Sequence, residues 1–232
     1  MTFFFLTKGV NPILLMGKIP DEVKFGHNAK GDLIDYGYVR QISDSTELID
    51  LLRIRLETFL INQVQPLQES RSAFPLTVMT CVGIETLGEI FIDEDKDDTS
   101  FQFVEILKKV NQTFGRKLSK TYEKKLTELW SNKDIKNINC YGKVLYRFFR
   151  NTMIHGYQGK GVFLSYEDLD KIEIDEATSF IKMNPDWFWN SYKDAFQKLF
   201  SDAKKAQETN TMRKNCVRYI NQYLLGNVVL NK

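Results

Sequence analysis

A mainly α chain carrying one small β-element is what three features of the sequence predict. Apolar residues recur at three- and four-residue intervals, as in Leu48, Leu51, Leu52, Leu56, Phe59 and Leu60, the spacing that keeps one helical face on a core. Helix starters and stoppers bracket such stretches, with Ser43-Asp44-Ser45-Thr46, Pro75, Ser119 and Asn184-Pro185 at the starts and Gly115 and Gly156 at the ends. Glycine breaks the pattern in residues 1–43 and again just after Gly156, so the chain is read as an extended, irregular N-terminal segment (1–43) packed on a helical domain (44–232).

Composition bounds the function. The chain has 232 residues, 43% hydrophobic and 27% charged, which are globular values. With 32 basic and 30 acidic residues the net charge is +2, so no global field advertises nucleic-acid binding and any RNA site must come from local patches. Cys81, Cys140 and Cys216 are widely spaced in segments read as helices, the pattern of buried thiols in a reducing compartment. No C-x-x-C pair occurs, and the two histidines, His27 and His155, are far apart, so no zinc site and no cofactor is expected. Phe3-Phe4-Phe5-Leu6 lacks the basic flank and cleavage site of a signal peptide. No run nears the roughly 18 apolar residues that span a bilayer. The expectation is a soluble, cytoplasmic protein with no membrane partner.

Taken in order, residues 3–6, 13–16 and 36–42 are candidate strands or docked loops. Phe25-Gly26-His27-Asn28 reads as a polar loop, with no role for His27. A first long helix covers residues 47–68, with Pro66 kinking or ending it. A second, 75–92, is apolar on most sides and so central, which makes Glu85 within it a candidate buried carboxylate. Such a charge needs a partner, and both readings of Glu85, site residue or internal ion pair, predict an arginine, Arg150 or Arg147. The acidic run 93–98 lacks the order of a calcium loop and reads as solvated. Helices follow at 100–114 and 121–130, the latter with an exposed Glu and Lys face.

Residues 140–156 form the stretch around which the chain is organised. Val144, Leu145, Phe148, Phe149, Thr152 and Met153 make an apolar face, and Lys143, Arg147, Arg150, Asn151 and His155 lie on the other flank. Asn151 and His155, four apart, share a face, and Arg150 sits about 140° round from His155. An arginine forks onto two phosphate oxygens and a histidine of near-neutral pKa moves protons, the pair that phosphodiester cleavage requires. The same residues also serve as ordinary helix caps. Beyond Gly156, residues 161–166 and 171–183 suggest a small hairpin or strand pair. A helix opens at Asn184-Pro185-Asp186 with a core stripe of aromatics, and a last helix covers 211–225 with Arg213, Lys214 and Arg218.

The order Arg150, Asn151, three residues, His155 resembles the R-N-x-x-x-H motif of HEPN domains, and residues 83–88 resemble the acidic second-helix segment of some members. The resemblance covers about residues 44–226 and implies a HEPN-like helical bundle that dimerises. It implies a metal-independent endoribonuclease, in a toxin or phage-defence setting, that cleaves RNA by attack of its own 2′-hydroxyl. His155 would move protons, Arg150 neutralise charge, Asn151 hold His155 or a phosphate oxygen, Glu85 assist, and Lys143, Arg147 and Lys160 touch the RNA backbone. An antitoxin protein is an implied partner. The alternative is a non-catalytic helical module that binds RNA or a protein.

Overall fold

The N-terminal region is more regular than its glycines suggest. In a computed structural model describing residues 19–92, 99–130, 137–152, 161–167 and 170–226, β1 (Lys24–His27) pairs antiparallel with β2 (Leu33–Asp35). Asn28 closes the turn, its side-chain oxygen accepting from the backbone N–H groups of Lys30 and Asp32, both at 2.9 Å. Residues 25–28 are therefore largely strand, not a polar loop: Phe25 is buried, and a register shift between Lys24 and Gly26 absorbs the glycine. Residues 36–42 are not a strand either. Asp35 accepts from the Tyr38 N–H at 2.8 Å and starts α1 (Tyr36–Gln41), which buries Tyr36 and Val39 one turn apart. The candidate strands at 3–6 and 13–16 lie outside the described residues.

The chain is mostly helical with small sheets, and its residues group into two compact units, 1–59 with 200–232, and 60–199. The boundary expected near residue 43 falls inside the first. In that unit α2 (Ser45–Leu56), capped by Asp44, buries Leu48, Ile49, Leu51 and Leu52. A π-helical turn (Glu57–Ile61) continues it into α3 (Asn62–Glu69), which runs three residues past Pro66.

The second unit is built round α4 (Ala73–Phe91), with ten buried residues among its nineteen. By length and mean hydropathy, 1.3 over its apolar window, α4 meets the criteria of a membrane span that no sequence run was expected to approach, yet 56% of that window is buried inside the protein. Next come α5 (Thr99–Val110), a 3₁₀ turn (Gln112–Gly115) and α6 (Lys120–Leu129), the last capped by Ser119. Then α7 (Tyr141–Val144) widens into a π turn (Leu145–Arg150) and returns to α geometry at Asn151 and Thr152. Cys140 is not helical but the N-cap of α7, bridged to Lys117. All three cysteines are buried and free.

The β-element after the motif helix is three-stranded: β4 (Ile172–Asp175) and β5 (Phe180–Met183) form a hairpin, and β3 (Val162–Leu164) adds parallel to β5. It is anchored by the Tyr122 hydroxyl, which donates to the Ser179 carbonyl at 2.8 Å. Asn184 starts α8 (Pro185–Lys205) by accepting from the Trp187 N–H. This helix leaves the second unit at Leu199 and enters the first, where α9 (Thr211–Tyr219) ends in a further π turn (Ile220–Leu224).

Candidate functional site

Glu85 on α4 and Arg150 at the end of the π turn come together. The Arg150 Nη2 forms an ion pair with the Glu85 carboxylate, and both side chains are 22% exposed. Nη1 donates to the Asn151 side-chain oxygen at 3.0 Å. The guanidinium lies over the Tyr146 ring, 5.4 Å from its centre, and that ring packs on Phe103. Nε is buried and meets no described acceptor. The arginine is thus held from three directions, its fork aimed by a carboxylate, an amide and an aromatic face.

The local fold that presents it is specific to this stretch. The Asn151 N–H reaches back five residues to the Tyr146 carbonyl, and the widened turn disturbs the usual four-residue pairing of the carbonyls that follow. The Thr152 hydroxyl donates to the Phe148 and Phe149 carbonyls in compensation. Phe148 and Phe149 fill the buried side of the same turn, stacking on Trp130 and meeting Phe74 edge-on. Of the expected apolar face, Val144, Leu145, Phe148 and Phe149 are buried, Thr152 is half-buried and Met153 lies outside the described residues, but an α-helical count does not carry across the turn.

Electrostatics at the site are set by burial more than by the pair. Burial raises the Glu85 pKa, and Arg150 opposes that rise without cancelling it. Cys81, one turn before Glu85, has its thiol pushed up by burial and by the Glu85 charge, so it stays protonated and is no nucleophile.

Of the residues singled out in the sequence, Arg150, Asn151 and Glu85 are brought together. Arg147 is exposed on the π turn and Lys143 half-buried on α7. His155 and Lys160 lie outside the described residues. Tyr146 and Cys81 were not anticipated: Cys81 stands four residues before Glu85 on one face of α4, whereas the π turn, not an α-helical interval, sets Tyr146 under Arg150. No group of three or more His, Cys, Asp or Glu side chains is placed to hold a metal among the described residues.

The first unit holds a surface cleft of about 370 Å³ whose lining includes Tyr38, Asp44, Glu47 and Asp50. Each of these carboxylates is already engaged: Glu47 accepts from the Tyr38 hydroxyl, Asp44 caps α2, and Asp50 pairs with Arg53 and Lys204. Comparison of the chain with family models, with curated proteins and with solved structures returned no match.

Proposed function

We propose that the chain is an RNA-cleaving enzyme of the HEPN kind, acting without a metal ion as a cytoplasmic homodimer, with an antitoxin protein as a further partner. The observation that carries this reading is the holding of Arg150 by Glu85, Asn151 and Tyr146 within the R-N-x-x-x-H stretch. A guanidinium fixed before substrate arrives loses little freedom when it binds a phosphate, and fixed charge aimed at a developing oxyanion is a large source of rate. In the proposed reaction the RNA 2′-hydroxyl attacks the adjacent phosphorus, leaving a cyclic phosphate and a 5′-hydroxyl. His155 moves the proton, and Arg150 answers charge on the non-bridging oxygens. His155, the one histidine of the motif, serves one of the two proton transfers, and a two-fold axis beside the motif would supply the second.

A second reading has an observation of its own. Glu85 already balances Arg150, and a carboxylate beside the guanidinium opposes an incoming phosphate, which suits a clamp inside a non-catalytic RNA- or protein-binding module.

One experiment separates the two. Cleavage of single-stranded and hairpin RNA is measured in excess chelator for the parent, His155→Ala and Arg150→Lys. The lysine keeps a cation for Glu85 but cannot fork onto two phosphate oxygens. Under the nuclease reading the parent cleaves, both variants lose about 100-fold or more, and Arg150→Lys melts near the parent. No cleavage by the parent, or full cleavage by both variants, overturns it.

A further inference from the structure

We propose that the exposed basic surface of Lys109, Arg116, Lys117 and Lys120, beside the start of the motif helix, is a track for the phosphate backbone of RNA. This rests on the RNA-directed reading above, and it assigns RNA contacts to a segment outside the motif.

The charge is concentrated by sequence. Residues 108–125 carry seven lysines and arginines against one carboxylate, Glu123, in a chain whose overall charge is +2. The fold then gathers that charge. The Lys108 stem lies against Gly115, where an added Cβ would come within 2.9 Å of the lysine Cγ, so the end of α5 and Arg116 are neighbours. The segment after it is hydrogen-bonded along the approach to α7: Tyr141 N–H donates to the Arg116 carbonyl and Leu118 N–H to the Asn139 carbonyl, both at 3.3 Å, with Lys117 bridged to Cys140 between them. Ser119 caps α6 by accepting from the Tyr122 N–H, which puts Lys120 in the first helical turn. A cation there opposes the helix dipole, so local stability does not explain its placement.

Lys109, Arg116, Lys117 and Lys120 are exposed, and no described carboxylate forms an ion pair with any of them, in contrast to Lys108 with Glu105 and Lys125 with Glu128. Their charge is available to a partner on a backbone already ordered by the bonds above. The surface fits a polyanion better than a protein or a membrane. Between residues 108 and 125 no large apolar side chain is exposed, whereas protein interfaces centre on buried aromatic or aliphatic anchors and interfacial helices insert an apolar face.

The test compares two triple variants, both in a His155→Ala background so that RNA survives. One is Arg116→Ala, Lys117→Ala, Lys120→Ala; the other removes the same charge elsewhere, at exposed Lys198, Lys205 and Lys214. Binding of a labelled oligouridylate and of an RNA hairpin is titrated across salt concentration. A Lys109→Glu, Lys120→Glu variant repeats the measurement should the first triple melt early. For single-stranded RNA the track variant should bind about 10-fold or more weakly, and its slope of log affinity against log salt should become shallower by about 2, the loss expected for three phosphate contacts. The control triple should match the parent. Unchanged affinity and slope in the track variant, equal losses in both triples, or a parent that binds anionic vesicles or an acidic peptide but not RNA would overturn the proposal. A parent that cleaves no RNA yet binds it through these residues would sink the nuclease reading alone. A parent that cleaves while its RNA affinity ignores them would sink the track alone.

Discussion

Glu85 gives a pH signature opposite to that of most paired carboxylates. Its folded pKa is raised, with burial the larger cause and Arg150 opposing, so the folded state holds the proton more tightly than the unfolded one. Its contribution to stability is therefore fully present below the unfolded value, 4.5, and is lost as pH rises through the higher folded one. Melting temperatures of the parent and Glu85→Gln, followed from neutral pH down towards that unfolded value, should diverge in the parent's favour on acidification. A gap that closes instead would show that the Arg150 charge outweighs burial. That Glu85 meets an arginine was legible in the sequence, since a carboxylate in an apolar helix needs a counter-charge. Which arginine was not, because Arg147 and Arg150 are three residues apart and the π turn between Leu145 and Arg150 decides which faces α4.

Gly83 shows how α4 is fitted to its neighbours. A glycine inside a helix costs about 1 kcal/mol relative to alanine, so on propensity alone Gly83→Ala should stabilise. A Cβ at Gly83, however, would lie 2.5 Å from Cζ and Oη of Tyr192, which is wholly buried on α8. The ring has no room to yield, and overpacking of this kind costs about 1–3 kcal/mol. Gly83→Ala should therefore lower stability in urea unfolding, and Tyr192→Leu in the same chain should restore part of the loss. Tyr192→Phe alone should be nearly neutral, since the Tyr192 hydroxyl is buried without a described partner. Helices of this kind were legible because periodicity and caps coincide, as at Ser119 and Asn184. The π turns were not: five-residue hydrogen bonding leaves no mark in composition, and residues 36–42, rich in Tyr, Val and Ile, hid a helix behind strand-forming residues until Asp35 was seen to cap it.

For the molecule as a whole, Arg213 holds one unit together from its ends. Its Nη1 donates to the carbonyls of Ala203, Lys204 and Ala206, where α8 finishes, and its Nη2 to the side chains of Ser45, Thr46 and Glu208. The residue is 4% exposed. Arg213→Ala leaves helix-end carbonyls without donors and should cost about 2–4 kcal/mol. Arg213→Lys should recover little, since one ammonium cannot serve both groups; full recovery would show that charge alone matters. In the sequence this arginine is one more basic residue on a terminal helix, because Ser45 and Thr46 stand 168 and 167 positions away. The same separation governs how the protein is made. Residues 60–199 are joined before the first unit has its C-terminal part, so α2 must wait for residues 200–232. At about 5–20 residues per second that wait lasts seconds after residue 199 is joined, and the apolar face of Leu48, Leu51 and Leu52 is without its final partners throughout. A chain truncated after residue 199 and released should fold its second unit and leave its first a target for chaperones and proteases.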